Sequence, residues 1–440
     1  MQKQKMNIRP FFILILICLV FVAVPGVRAR VYIDIDSPGF RKFPLAIADF
    51  RQVGGDGDPG SLALWFPREA ARYLEMTDYF QIKDRRAFLE PSGWHPTDPF
   101  QVQFPDWTAI GVDYLVKGIF TQRATVLTTE IRIYDTIRMK EVFRKTYTGI
   151  NDDKSLLARK MAGDILTALT GATPLFDTKI AFTRKKGNTA EIHTIPFDGS
   201  FVARLTSEYA LVVSPHWSPD GRYLSYTSYR SGIQEVYIKD LKRKITRKVT
   251  PYAGMNLAGP WSPDGRKMLL TLSKDGNEEI YSLEIATGAL KRLTMHFGID
   301  VSPTWSPDGR RIAFVSNRSG GPQIYVMDAE GGVARRITYE GGYNTSPAWS
   351  PRGDRIAFEG RTAGGFQIFT ITPEGEDLRV VTSAAGGSYE KPVWSPDGRY
   401  LAAVARQGGR YRISVISLNS KAERVIHETA QKCHGLSWSP

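Results

Sequence analysis

Gly55-Asp56-Gly57-Asp58-Pro59-Gly60 has the Gly-x-Gly-x-x-Gly spacing with which a dinucleotide-binding turn lets a pyrophosphate approach a helix N-terminus. It follows a predicted strand and precedes a predicted helix, the context such a turn needs. Two aspartates in the loop would repel a phosphate, Pro59 stiffens the turn, and no parallel βαβ succession is expected to follow. A plain flexible turn is therefore the reading the residues favour. The same stretch opens like a calcium loop, Asp56-x-Asp58-x-Gly60, but lacks the distal Glu of that pattern. His95, His193, His216, His296, His427 and His434 show neither His-Glu-x-x-His nor any other ligand spacing. A serine hydrolase needs a nucleophile elbow, Gly-x-Ser-x-Gly, and the chain contains none. The residues thus predict no catalytic group, no bound cofactor and no metal centre.

The residues that do recur build a scaffold. Trp217, Trp261, Trp305, Trp349, Trp394 and Trp438 are separated by 44, 44, 44, 45 and 44 residues, five of them in Trp-Ser-Pro-(Asp/Arg)-Gly. That period is one four-stranded propeller blade. Apolar runs such as Ile312 to Val315 and Gln323 to Met327, bounded by Asp-Gly or Gly-Gly turns, read as hairpin-linked strands. Turn chemistry accounts for the repeated Asp220, Asp264, Asp308 and Asp397. The first strand set, at Ile180-Ala181-Phe182, has no tryptophan motif before it, and the last motif, at Trp438, has no strands behind it. Joining them predicts six blades over 177–440, with the C-terminal strand completing the first blade and removing the free sheet edges.

Upstream, residues 30–170 read as a small α+β domain, followed by a linker at 171–176. A strand is expected over 43–50, a helix over 62–76, an antiparallel meander over 112–120, 126–134 and 141–149, and a helix over 156–169 capped by Asp152 or Asp153. Residues 1–29 have the basic start, apolar run and small final residue of a secretory signal peptide, cleaved between Ala29 and Arg30. Cys18 lies inside that run behind Ile17, which argues against lipid attachment, and Cys433 remains as a lone cysteine. The net charge of +13 at first suggests nucleic acid. Lys3, Lys5, Arg9 and Arg28 leave with the signal, and the remaining +9 belongs wholly to the propeller. Arg222, Arg266, Arg310 and Arg399 repeat at one turn position, so part of this charge is spread around a ring and no nucleic-acid groove is expected.

A signal peptide, a small α+β domain and six blades built on Trp-Ser-Pro-Asp-Gly-Arg resemble the TolB family, periplasmic propellers of the Tol-Pal system in Gram-negative bacteria. The segment Arg30-Val31-Tyr32-Ile33-Asp34-Ile35-Asp36 is similar to the family's N-terminal box, and the repeat departs from the family pattern at Arg352. The resemblance implies a non-enzymatic monomeric adaptor that supports outer-membrane integrity and envelope constriction at cell division. It implies that the box binds TolA and the channel mouth binds the lipoprotein Pal, with other envelope proteins as possible partners and no membrane span after cleavage. Alternating Val31, Ile33 and Ile35 read as a strand with one apolar face, able to add to a partner's sheet edge or to dock on its own domain. Loops leading into each innermost strand, 210–214, 255–258, 298–302, 341–346, 386–391 and 431–435, vary between blades, as a binding rim does. The candidate Pal contacts there are Met255, Asn256, Leu257, Asp300, Val301, Ser302, Tyr343, Asn344 and Thr345. Propellers with this repeat also cap serine peptidases, so a peptidase-related or ligand-binding envelope propeller is the alternative.

Overall fold

A computed structural model describes residues 41–55, 59–89, 98–383, 385 and 387–440. The signal segment, the Ala29–Arg30 cleavage position, the segment Arg30 to Asp36 and the middle of the glycine-rich turn lie outside the described residues.

The first domain runs β1 (Phe43–Ile47), β2 (Arg51–Gly55), α1 (Pro59–Glu75), β3 (Phe80–Ile82), α2 (Phe104–Ala109), β4 (Tyr114–Arg123), β5 (Val126–Asp135), β6 (Lys140–Ile150) and α3 (Lys154–Thr170). Its sheet has the order β3-β1-β4-β5-β6, with β2 also on β4, and β4 to β6 form the expected antiparallel meander. Three expectations need correction. The strand expected over 43–50 stops at Ile47, and a second strand begins only at Arg51, the register against β4 slipping by one residue between Ile47↔Val116 and Arg51↔Ile119. A parallel crossover does follow the glycine-rich turn, since β1 pairs in parallel with both β3 and β4. It escapes the sequence because β3 is only three residues long, and the aspartates remain the objection to a phosphate there. Finally, Asp153 stands at the N-cap of α3 without a side-chain cap bond, a 3-10 turn over Asn151–Asp153 leading into the helix instead.

Helix α1 buries Leu62, Phe66, Ala70, Tyr73 and Leu74, one stripe at helical spacing. Pro67 lies inside it and has no N–H for the carbonyl of Ala63. That carbonyl accepts instead from Phe50 N–H at 3.1 Å, which ties the bulge after β1 to the helix. The Phe50 ring stacks on Phe66 and lies where a side chain at Gly118 would be, an ideal Cβ falling 2.5 Å from it.

Residues from Lys179 onward form six four-stranded antiparallel sheets. The innermost strands of blades 2 to 6 are Val212–Trp217, Asn256–Trp261, Asp300–Trp305, Asn344–Trp349 and Ser388–Trp394. Blade 1 takes its innermost strand from the C-terminus: Cys433–Trp438 pairs with Lys179–Lys186, followed by Thr189–Pro196 and Ala203–Arg204. Each innermost strand carries a register shift near its middle, with Ser214, Ser302, Ser346, Lys391 and Gly435 at positive φ. After the first five of these tryptophans the turn closes on itself. The Ser218 hydroxyl donates to Asp220 Oδ1 and accepts from Tyr223 N–H, while Asp220 also accepts from Arg222 N–H. The same bonds recur at Asp264, Asp308 and Asp397, which are turn residues. In blade 5, where Arg352 replaces the aspartate, Asp354 accepts from Ser350 at 2.8 Å, so the serine keeps a carboxylate.

The first domain docks on blades 1 and 6. Tyr73 donates to Asp198 at 2.9 Å, Tyr400 to the Met76 carbonyl at 3.2 Å, and the Arg399 guanidinium lies 4.7 Å from the Tyr79 ring centroid. One apolar cluster runs from Phe66 and Leu74 through Phe176 and Phe197 to Tyr400 and Trp438. The closing strand is locked at its end by Trp438 Nε1 donating to Thr178 and by Ser439 N–H donating to the Lys179 carbonyl. Replacing Trp438 by Ala is expected to cost about 3–5 kcal/mol of stability, the range for emptying a large buried site. Deleting residues 435–440 should lower the melting temperature of the whole ring in calorimetry. Unchanged melting would show that the closing strand is dispensable.

Candidate partner-binding face of the propeller

In an antiparallel blade, the loop entering an innermost strand and the turn between the second and third strands lie on one face of the ring. The tryptophan turns and the first domain lie on the other. Five of the six entry loops share one fastening. At the end of the outer strand Thr206, Thr250, Thr294, Thr338 and Thr382 each accept a backbone N–H from the third strand of their own blade, at 2.9 Å. At the start of the third strand a carboxylate or amide then holds the loop. Glu191 accepts from the N–H groups of Glu208 and Tyr209, and Glu279 from that of His296. Gln323 accepts from Thr338 and Asn344, and Gln367 accepts from Thr382 while donating to the Gly387 carbonyl.

This device decides which of the sequence-derived rim residues reach solvent. Asn256, Asp300 and Asn344 occupy the first position of three innermost strands and are buried. Asn256 donates to the Tyr252 and Gly254 carbonyls, Asp300 accepts from Arg318 at 2.7 Å, and Asn344 donates to Gln323 and the Glu340 carbonyl. They hold the rim in shape. Met255, Leu257, Val301 and Thr345 are half-buried, Ser302 is exposed, and Tyr343 is exposed with its ring edge-on to Phe366.

The largest apolar exposures on this face lie just upstream of the segments read from sequence. Phe297, Met295, Tyr209 and Tyr339 are 87%, 83%, 80% and 71% exposed. Met295, Phe297 and Ile299 on the loop entering blade 4 and Tyr339 and Tyr343 on the loop entering blade 5 concentrate this uncovered apolar surface on two adjacent loops, the kind of surface that marks an interaction site. Their loops begin immediately after Thr294 and Thr338. The 44-residue spacing of those threonines is the signal that would have set the loop boundaries earlier.

Toward blades 6 and 1 the face is charged. Lys391 donates through its ammonium to Ser346 and through its N–H to Glu359, which also accepts from Thr345. Burial and the Glu359 carboxylate raise the pKa of Glu390. Burial, with Lys432, Lys391 and Lys185 nearby, pushes His434 down to about 4, and burial pushes His216 down to about 4. Among the described residues no three His, Cys, Asp or Glu side chains are grouped to hold a metal ion, and no helix is long and apolar enough to cross a membrane.

Comparison with known proteins matches both domains. A family model described as the TolB beta propeller domain covers residues 166–440, and one described as the TolB amino-terminal domain covers 31–142. The Tol-Pal system protein TolB of Syntrophus aciditrophicus is 44% identical over 240 residues, 54% of this chain and 53% of the relative. That of Desulfosudis oleivorans is 34% identical over 210 residues, 48% of each chain. The chain thus spans about half the length of the curated relatives it matches. The crystal structure of TolB from Acinetobacter baumannii superposes with a TM-score of 0.77 at 25% identity, over 91% of this chain and 97% of that one.

The two histidines predict a pH dependence of stability. Unfolded, each titrates near ~6.5. Folded, each stays neutral to about 4, so the unfolded chain binds more protons in between and stability falls as pH drops through that window. Glu390, shifted upward, works in the opposite direction. Melting temperatures measured from pH 7 to 4 should decline, and the double variant His216→Gln/His434→Gln should flatten the decline.

Proposed function

Because the chain belongs to the TolB family, we propose that it is a non-enzymatic adaptor of the Tol-Pal system working in the periplasm, with the open face of the propeller as its docking surface for Pal. The observation that carries this reading is the uncovered apolar stretch of Met295, Phe297, Ile299, Tyr339 and Tyr343 on a rigid ring, opposite the face that holds the first domain. Tethered loops present these side chains at little entropic cost on binding, as a docking surface requires. Lys185, Lys186 and Lys432 supply a basic margin suited to an acidic partner surface. The mature N-terminal segment, Arg30 to Asp36, is the docking strand for TolA, since its alternating apolar residues suit addition to a sheet edge. Joining the two partners would couple the outer-membrane attachment of Pal to the inner-membrane complex, supporting outer-membrane integrity and constriction at division.

Two measurements test this. The double variant Met295→Ser/Phe297→Ser changes only exposed side chains, so its melting temperature should match the parent. Its affinity for Pal should fall at least about tenfold, the ~1.4 kcal/mol expected of interface anchors. Unchanged Pal binding would remove these loops from the site. Deletion of residues 30–36 should abolish TolA binding and leave Pal binding intact, and equal loss of both in a folded protein would overturn the division of labour.

A further inference from the structure

A ring of six like blades offers a docking partner six rotational settings, and departures from the repeat choose among them. The apolar tips over blades 4 and 5 are one departure. The cations of the same face are a second, and they lie elsewhere. Lys186, Arg230, Lys274 and Arg318 follow one another at steps of 44 residues, at the end of the second strand of blades 1 to 4. In blades 2, 3 and 4 each is matched by a carboxylate: Arg230 by Glu208 at 3.5 Å, Lys274 by Asp275 at 2.8 Å and Arg318 by Asp300 at 2.7 Å. One residue earlier, the same repeat places Lys185, Arg361 and Arg406 in blades 1, 5 and 6, where blades 2 to 4 have Tyr229, Ser273 and Asn317.

These three, with Lys186 and Lys432, are exposed, and among the described residues none has a carboxylate oxygen within 4.0 Å. Backbone bonds set them side by side with the rest of the rim. Lys185 N–H donates to the Lys432 carbonyl, and Arg361 N–H to the carbonyl of Tyr343, both at 2.9 Å. The loop entering blade 6, Ser383-Ala384-Ala385-Gly386-Gly387, brings no charge between Arg361 and Arg406. Glu390, half-buried on the innermost strand of blade 6, feels Lys391, Lys432 and Arg406 but pairs with none of them, so the sector stays cationic. Half of the face is thus balanced in charge and the other half is not.

We propose that the unmatched cations over blades 5, 6 and 1 receive an acidic segment of the protein that docks on this face, and so fix its rotational setting on the ring. The inference rests on the reading of this face as the docking surface for Pal and adds the chemistry that Pal must bring to it. Cations spread over three blades suit a run of carboxylates better than one small anion. They also stand in ladder register, at Lys185↔Ala190, Arg361↔Phe366 and Arg406↔Tyr411, below the level of loop tips. A flat lipid surface resting on Met295 and Phe297 would meet those tips first, whereas a protein segment can follow the relief. Exposed ion pairs add little affinity once formed, but an unbalanced charge speeds encounter and penalises wrong settings. The signature is therefore kinetic.

The test is stopped-flow association of the full mature chain with non-lipidated Pal. The triple variant Lys185→Glu/Arg361→Glu/Arg406→Glu changes only exposed side chains, so its melting temperature should hold. At about 20 mM salt its association rate should fall at least about tenfold while dissociation changes less than about threefold, and the difference should vanish near about 0.5 M salt, where charges are screened within a few ångström. The neutral set Lys185→Gln/Arg361→Gln/Arg406→Gln should lie between the parent and the reversed set. Arg243→Glu/Arg266→Glu/Arg310→Glu makes the same change of net charge on the turn face and should alter association less than about twofold. Salt-independent association of the parent, or equal rates for the two reversed sets, would overturn the inference and leave Pal docking in place. Absence of Pal binding by the parent would remove both. Binding to phosphatidylglycerol vesicles that the first triple variant loses, with its Pal association unchanged, would assign the cations to a lipid surface instead.

Discussion

Ring closure is the constraint on which the rest of the molecule depends. A propeller blade buries its two sheet faces only against its neighbours, so an open ring would expose two faces and two unpaired edges. Pairing Cys433–Trp438 with Lys179–Lys186 removes both at once. Blade 1 thereby joins chain segments more than 240 residues apart, and Trp438 reaches the apolar cluster that also holds the first domain. The docking of the two domains and the closing of the ring are one piece of packing. Phe197 touches both Trp438 and Tyr400, while Tyr400 bonds to the end of α1 through Met76.

Much of this is legible in the residue order, because it rests on local chemistry repeated at a fixed period. The tryptophan spacing, the Ser–Asp–Gly turn and the orphaned strands at the two ends of the repeat suffice to count blades and to close them. What stays hidden depends on partners distant in sequence. Nothing local to Asn256, Asp300 or Asn344 says that they turn inward. Arg318 and Gln323 take the latter two, and those partners come from turns and strands whose positions only the folded blade fixes. The three-residue β3 is similarly below the length at which an alternating pattern can be read. The exposed Met295 and Phe297 were within reach, since the threonine before five of the six entry loops keeps the period as strictly as the tryptophans do.

The two faces of the ring have different characters for a physical reason. On the turn side, serine and aspartate satisfy one another within the turns of blades 2 to 6, and paired charges link blade 3 to blade 4 and blade 4 to blade 5. On the entry side, a carboxylate or amide holds the base of the loops entering blades 2, 4, 5 and 6 and leaves their tips unconstrained. Side chains at the tips are therefore free to differ between blades, as the apolar stretch of blades 4 and 5 and the lysines near blade 1 do.

The position of β1 has a mechanical meaning. It lies between β3 and β4 with both neighbours parallel, and the described chain enters it directly from residue 41. A pull on the segment ahead of it acts along the strand axis and loads the flanking hydrogen bonds together, in shear. A tug on an edge strand across its ladder would open the bonds one at a time. The bulge after β1, fixed to the proline-freed carbonyl of Ala63, gives the same strand a second attachment to α1. Tension arriving at the amino terminus would therefore pass into the body of the domain, and from there to the blades that close the ring.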